Sequence, residues 1–175
     1  MSRRLFSVPS FTPTATADTT AIANGTHMTV AANTATQQLF VTEIFVQGLG
    51  TSSTNINNNL FARNSTLFSA GTPTALAAPA SDGPIPGIVT APATLAITCT
   101  AATTPGQRSA LTTSSRLMLS INALGGIARW KPADLSEAWW INGQTASTTE
   151  SSLSASNAAG TTSAAQSATI MYEVL

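Results

Sequence analysis

Alternating apolar and polar positions recur in short segments along the chain, a pattern typical of β-strands. The clearest segment is Gln38–Gln47, and Gly48 and Gly50 end it. Strict alternation over this segment predicts one face made of Phe40, Thr42, Ile44 and Val46, and another made of Leu39, Val41, Glu43 and Phe45. Because apolar residues occur on both faces, the segment is predicted to be a central strand that is covered on two sides.

Weaker alternation predicts further strands on either side of this segment. They are Met28–Ala32 (a partner near the start), Asn59–Arg63 (after an Asn-rich turn at Asn55–Asn59), Thr94–Thr100, Arg116–Ile121, Ile127–Lys131, Ala138–Asn142 and Ser167–Val174. Turn signals separate most of these strands, and no segment has a convincing helical period. The fold class predicted is therefore all-β: an antiparallel β-sandwich, jelly-roll-like or immunoglobulin-like in architecture.

Two parts of the chain lack this alternation. Residues 1–26 are predicted to be an extended N-terminal arm, because Pro9 and Pro13 would prevent regular pairing, and residues 27–175 a single β-sandwich domain. Residues 64–93 contain five prolines and are predicted to be loop with short extended pieces, since a loop of this length is usually functional or a contact segment. We expect the arm to contribute little to folding and to dock onto a partner through Phe6 and Phe11, with Arg3 and Arg4 meeting acidic groups there.

Composition limits the classes of function. Ala, Thr and Ser account for 79 of the 175 residues, and charged residues for 8%, against roughly 25% in ordinary domains. Seven basic and seven acidic residues give zero net charge, which argues against nucleic-acid or anionic-membrane binding. No apolar run is long enough to span a membrane, and no signal peptide is expected. A thin core under a low-charge surface predicts a homodimer or homotrimer.

Candidate catalytic and metal-ligating residues are few. His27 is the only histidine and Cys99 the only cysteine, so a His/Cys metal cluster cannot form. No catalytic, cofactor-binding or metal residue is predicted, and we expect the protein not to be an enzyme. Asp134 and Glu137 are the only acidic pair close in sequence, and we interpret them as part of a solvated turn.

Three further features invite specific interpretations. Trp139 and Trp140 could stack on a sugar, but in an alternating strand only one of them faces the core. Glu43 lies in a strongly apolar strand and should be paired, because an unpaired buried charge is costly; Arg63 and Arg116 are the candidate partners. We interpret Gly125 and Gly126 as a tight structural turn that needs positive φ.

The segment from Asn122 to Trp130 reads NALGGIARW, and the chain closes with IMYEVL. These residues resemble the NAxGGxxRW turn and the terminal strand of tailed-bacteriophage head decoration (cement) proteins. The resemblance extends loosely over 35–175. It implies a jelly-roll-like subunit that oligomerises on the outer surface of the virion, with the major capsid protein and itself as partners. The alternatives are a phage tail or fibre module, although no repeats appear, and a carbohydrate-binding β-sandwich.

Overall fold

The computed structural model describes residues 4–12, 26–32, 38–64, 73–75, 94–99, 116–134, 136–141, 152–157 and 166–174. Within these ranges the regular structure is entirely β-strand, with no helix. The described residues accordingly include no helix with the length and hydrophobicity needed to cross a membrane.

The described strands form two sheets. The strands are β1 (Arg4–Thr12), β2 (Thr26–Ala32), β3 (Leu39–Gly48), β4 (Ile56–Asn64), β5 (Pro73–Ala75), β6 (Thr94–Cys99), β7 (Arg116–Asn122), β8 (Ile127–Trp130), β9 (Trp139–Ile141), β10 (Ser152–Asn157) and β11 (Gln166–Val174). One sheet has the order β1-β11-β3-β8, with β9 also paired to β3, and the other has the order β5-β6-β2-β10-β4-β7. Every described pairing is antiparallel, so the all-β prediction is confirmed.

Strand β3 is central, as its apolar pattern predicts. Its whole length pairs with β11 on one edge. On the other edge, Leu39–Val41 pairs with β9 and Ile44–Gln47 pairs with β8. That second edge is therefore divided between two short strands, with Thr42 and Glu43 at the break.

A β-bulge changes the faces of β3. Met171 pairs with Glu43 and the next residue, Tyr172, pairs with Val41, so Thr42 is an extra residue on β3. An extra residue reverses the alternation beyond it. The buried cluster therefore contains Leu39 and Val41 before the bulge, and Ile44 and Val46 after it. The predicted faces are wrong, because strict alternation cannot accommodate this residue.

One hydrophobic cluster contains side chains from both sheets. The five-stranded sheet contributes Leu39, Val41, Ile44, Val46, Trp139, Ile141, Ala168, Ile170 and Tyr172, and the six-stranded sheet contributes Val30, Phe61, Ile121 and Leu153. Burial of these large side chains is the main force that stabilises the fold. The jelly-roll-like sandwich stays a prediction.

The N-terminal strand β1 corrects an expectation about the arm. Arg4–Thr12 pairs with β11 through nine consecutive residues, with Pro9 opposite Thr169. The expectation that Pro9 prevents regular pairing is wrong, because β1 is an edge strand and a proline there needs no partner for its outer side. The division between an arm at 1–26 and a domain at 27–175 stays a prediction.

The six-stranded sheet contains the other differences from the sequence prediction. β2 lies in this sheet, between β6 and β10, rather than beside β3. The predicted Asn-rich turn at Asn55–Asn59 is largely strand, since β4 begins at Ile56. Asn57 and Asn59 are fully buried on it. Both amide atoms of Asn59 lack a hydrogen-bond partner, which costs free energy in a buried position.

Candidate functional site at the corner between the sheets

Residues Asn122–Gly126, hereafter the corner, connect β7 in one sheet to β8 in the other. The amide of Gly48 donates to the carbonyl of Gly126 at 2.8 Å, and the amide of Gly50 donates to Ala123 at 2.8 Å. The amide of Ala123 in turn donates to the carbonyl of Asn55 at 2.9 Å. Backbone hydrogen bonds therefore fasten the corner to both ends of the β3–β4 connection.

The side chain of Asn122 adds two further bonds. Its Nδ2 donates to the carbonyl of Ser53 at 2.7 Å, and its Oδ1 accepts from the amide of Leu124 at 2.8 Å. The second bond is an Asx turn, which positions the backbone two residues onward. An asparagine at this position both shapes the corner and fastens it to its neighbour.

The two consecutive glycines of the corner have different physical roles. Gly125 adopts φ 70°, and a Cβ there would meet nothing within 4 Å. Gly126 has no positive φ, but a Cβ would overlap the carbonyl oxygen of Asn122 and lie 2.5 Å from its amide nitrogen. Positive φ therefore explains the glycine at 125, and close backbone approach explains the one at 126.

Arg129 is the partner of Glu43. The guanidinium forms a bidentate ion pair with the Glu43 carboxylate: Nε lies 2.7 Å from Oε1, and Nη2 donates to Oε2 at 2.7 Å. Arg129 lies opposite Phe45, two residues from Glu43 on β3. The hydrogen bond and charge of Glu43 raise the pKa of the Arg129 guanidinium. The predicted partners, Arg63 and Arg116, are incorrect, because a residue 86 positions away occupies both carboxylate oxygens.

Four large apolar side chains are exposed around the corner. Their exposed fractions are 37% for Leu49, 50% for Ile56, 54% for Leu124 and 62% for Ile127. No charged residue occurs in 48–57 or 122–128. We call these four residues the apolar end. Exposed apolar side chains of this size are available for contact with another macromolecule.

The two adjacent tryptophans point in different directions. Trp139 is buried in the core and its ring lies 5.5 Å from that of Trp130. Trp140 is 38% exposed and packs edge-to-face on Phe40 with ring centroids 5.0 Å apart. The prediction that only one of them faces the core is confirmed. A two-tryptophan platform for a sugar is therefore not formed.

Asp134 and Glu137 lie in the connection between β8 and β9. Asp134 Oδ1 accepts from the amide and hydroxyl of Ser136, at 2.7 and 2.5 Å. These bonds lower the pKa of the Asp134 carboxyl. Glu137 Oε2 accepts from the amide of Ala133 at 3.0 Å. Both carboxylates are exposed and hold the local turn, which agrees with a solvated turn.

The N-terminal residues that the sequence predicts as contacts lie mostly on β1. Arg4 lies opposite Val174, Phe6 opposite Tyr172 and Phe11 opposite Ser167. Arg3 lies outside the described residues.

His27 and Cys99 lie on β2 and β6. Across the described part of the chain, no group of three or more His, Cys, Asp and Glu residues could hold a metal ion.

Sequence reasoning missed the apolar end. Its four members lie in two segments far apart in sequence, and only the fold brings them near one corner. The signal that was available is the uncharged composition of the two segments that meet there.

Comparisons with known proteins add little to this picture. No protein-family model matches the chain, and no curated protein matches it. A chain from the "Structure of a marine algae virus of the order Picornavirales" is similar at a TM-score of 0.26 and 8% identity, covering 98% of this chain and 66% of that chain. This chain thus spans about two thirds of the length of its structural neighbour. A likeness this slight assigns neither a fold family nor a function.

Proposed function

We propose that this protein is a non-enzymatic virion structural protein, a decoration or cement subunit that binds and stabilises a phage capsid shell. It would be assembled in the host cytoplasm and lie on the outer surface of the capsid. The observation that carries the proposal is the apolar end: four large apolar side chains exposed within or next to a hydrogen-bonded corner, in two segments that contain no charged residue. Such a surface suits a long-lived contact with an uncharged protein surface.

The corner also gives physical meaning to the NALGGIARW segment that resembles decoration proteins. Asn122 shapes the corner, Gly126 permits close backbone approach, and Arg129 pairs with Glu43. These residues hold the frame in place, while Leu124 and Ile127 are exposed on it. The segment therefore holds exposed apolar side chains in a fixed position, which supports a role in assembly rather than in catalysis.

Quantitative mass spectrometry of purified virions tests the proposal. We expect hundreds of copies per particle relative to the major capsid protein. A dozen or fewer copies would favour the alternative, a tail or fibre module, and absence from virions would contradict both.

A pair of variants tests whether the apolar end makes the contact. Leu124→Asp places a charge on the exposed surface and leaves the backbone bonds of the corner unchanged. Leu124→Met at the same position keeps the surface apolar. We expect the first variant to lose occupancy on capsids lacking the native protein and the second to keep it. Equal occupancy of the two variants would show that the contact with the capsid lies outside the apolar end. The next proposed contact is then formed by the N-terminal residues Arg3, Arg4, Phe6 and Phe11.

A further inference from the structure

Among the described strands, β7 forms one outer edge of the six-stranded sheet. An edge strand presents a row of backbone N–H and C=O groups along its free side, and proteins usually protect such edges. The other described edges have identifiable protection. β1 contains Pro9, β5 is three residues long, and the β8–β9 edge is divided into two short strands.

β7 has none of these protective features. It is seven residues long, and no proline or charged residue occurs after Arg116. Leu117 and Leu119 pack against the core without being fully buried, while Met118 is 58% exposed. A long, uncharged and partly apolar edge of this kind is suited to pairing with another strand.

We propose that β7 pairs antiparallel with β7 of a second copy, so that the two six-stranded sheets become continuous across a two-fold axis. A pairing centred on Leu119 matches all seven residues and sets Arg116 of each copy opposite Asn122 of the other. The two arginines then lie at opposite ends of the interface, whereas parallel pairing would place them side by side. The arrangement of charge therefore favours a second copy in this orientation.

The same pairing explains the alternation along β7. Leu119 would lie opposite Leu119 of the second copy, and Leu117 opposite Ile121, which extends the core across the axis. Met118 and Ser120, both exposed, would lie opposite each other across the outer surface. Because the interface contains few charges, it should persist in molar NaCl.

Sedimentation equilibrium of the purified full-length protein tests the proposal. We expect a dimer for the native chain. Ser120→Lys sets lysines close to the axis of the pairing, where like charges should raise the dissociation constant by about tenfold or more. Ala133→Lys is the matched control: it adds the same charge at an exposed position in the β8–β9 connection, outside both β7 and the apolar end, and it should leave the dimer intact.

Hydrogen exchange provides a second measurement on the native chain. The amides of 117–121 that point away from β4 should become more protected as the protein concentration rises. Circular dichroism confirms folding of each variant, and Met118→Lys replaces Ser120→Lys if the latter does not fold.

Three results would overturn the inference: a monomer at high micromolar concentration, a trimer, or a dimer that Ser120→Lys and Met118→Lys leave unchanged. The experiment uses no virion. Its failure is therefore distinguishable from failure of the proposed capsid role.

Discussion

The amide of Gly48 donates a 2.8 Å hydrogen bond to the carbonyl of Gly126, and neither glycine has room for a side chain. A Cβ on either residue would overlap the carbonyl oxygen of Asn122. The last residue of β3 is therefore held against the corner by a contact that only backbone atoms can make. Because β3 belongs to one sheet and Asn122 ends the edge strand of the other, this contact fastens the two sheets together.

Alanine substitution at the two corner glycines should separate their roles. Gly126→Ala forces a shift in the Asn122 backbone, and we expect a loss of unfolding free energy of about 2–3 kcal/mol, the upper part of the usual range for overpacking. Gly125→Ala meets no atoms and incurs only the cost of positive φ, about 1 kcal/mol. Urea unfolding of both variants measures the difference. Equal losses would show that the overlap at Gly126 relaxes until it costs no more than the positive φ at Gly125.

The buried asparagines of β4 should respond in opposite ways to replacement by leucine. The amide of Asn59 has no hydrogen-bond partner, so Asn59→Leu removes a desolvation cost and should leave stability unchanged or raise it by about 1 kcal/mol. Asn57 is equally buried and does have interactions. Asn57→Leu should therefore lower stability by about 1–3 kcal/mol. Thermal melting of the two variants measures both effects. A large loss of stability in Asn59→Leu would show that the Asn59 side chain makes a stabilising interaction.

Removal of β1 should destabilise the fold. Deleting residues 1–12 exposes the edge of β11 along nine paired residues and uncovers one side of the strand that contains the fully buried Ile170 and Tyr172. We expect a loss of about 2 kcal/mol or more. Deleting residues 1–3 is the control and should have little effect. If the variant lacking residues 1–12 has the melting temperature of the full chain, the N-terminal residues contribute little to folding, as the sequence predicts.

The pKa of Asp134 should lie below that of an ordinary aspartate because Ser136 donates two hydrogen bonds to the ionised carboxylate. Because the pKa is lower in the folded state, the ionised carboxylate stabilises the fold at any pH above its unfolded-state pKa. This contribution is lost as the pH falls through the folded-state pKa. Ser136→Ala removes the hydroxyl donor and should raise the pKa of Asp134 towards its ordinary value. NMR titration of the carboxyl carbon measures the shift. An unchanged pKa would mean that the backbone amides of Ser136 and Glu137 determine it without the hydroxyl.

Local patterns predicted the strands whose apolar residues alternate clearly. β3, β7 and β11 were identified within one residue at each end. The split between Trp139 and Trp140 also followed from alternation alone, because a two-residue period needs no tertiary information.

Long-range geometry explains what the sequence could not reveal. β10 reads SLSASN, a segment with one large apolar residue, and its place between β2 and β4 depends on pairing. The bulge at Thr42 reverses a pattern that looks regular in sequence. Glu43 meets Arg129 only because β8 lies beside β3, so proximity along the chain gave no indication of the pair.

The position of β11 between β1 and β3 has a consequence for synthesis. Both of its neighbours are complete by residue 48, yet the strand that joins them is 166–174. During translation β1 and β3 therefore lack their shared neighbour until more than a hundred further residues have been synthesised. Their apolar side chains stay exposed over that time. Non-local pairing of this kind slows folding and prolongs exposure to aggregation. The nascent chain, rather than the finished protein, is thus the form with the greatest need of protection by chaperones.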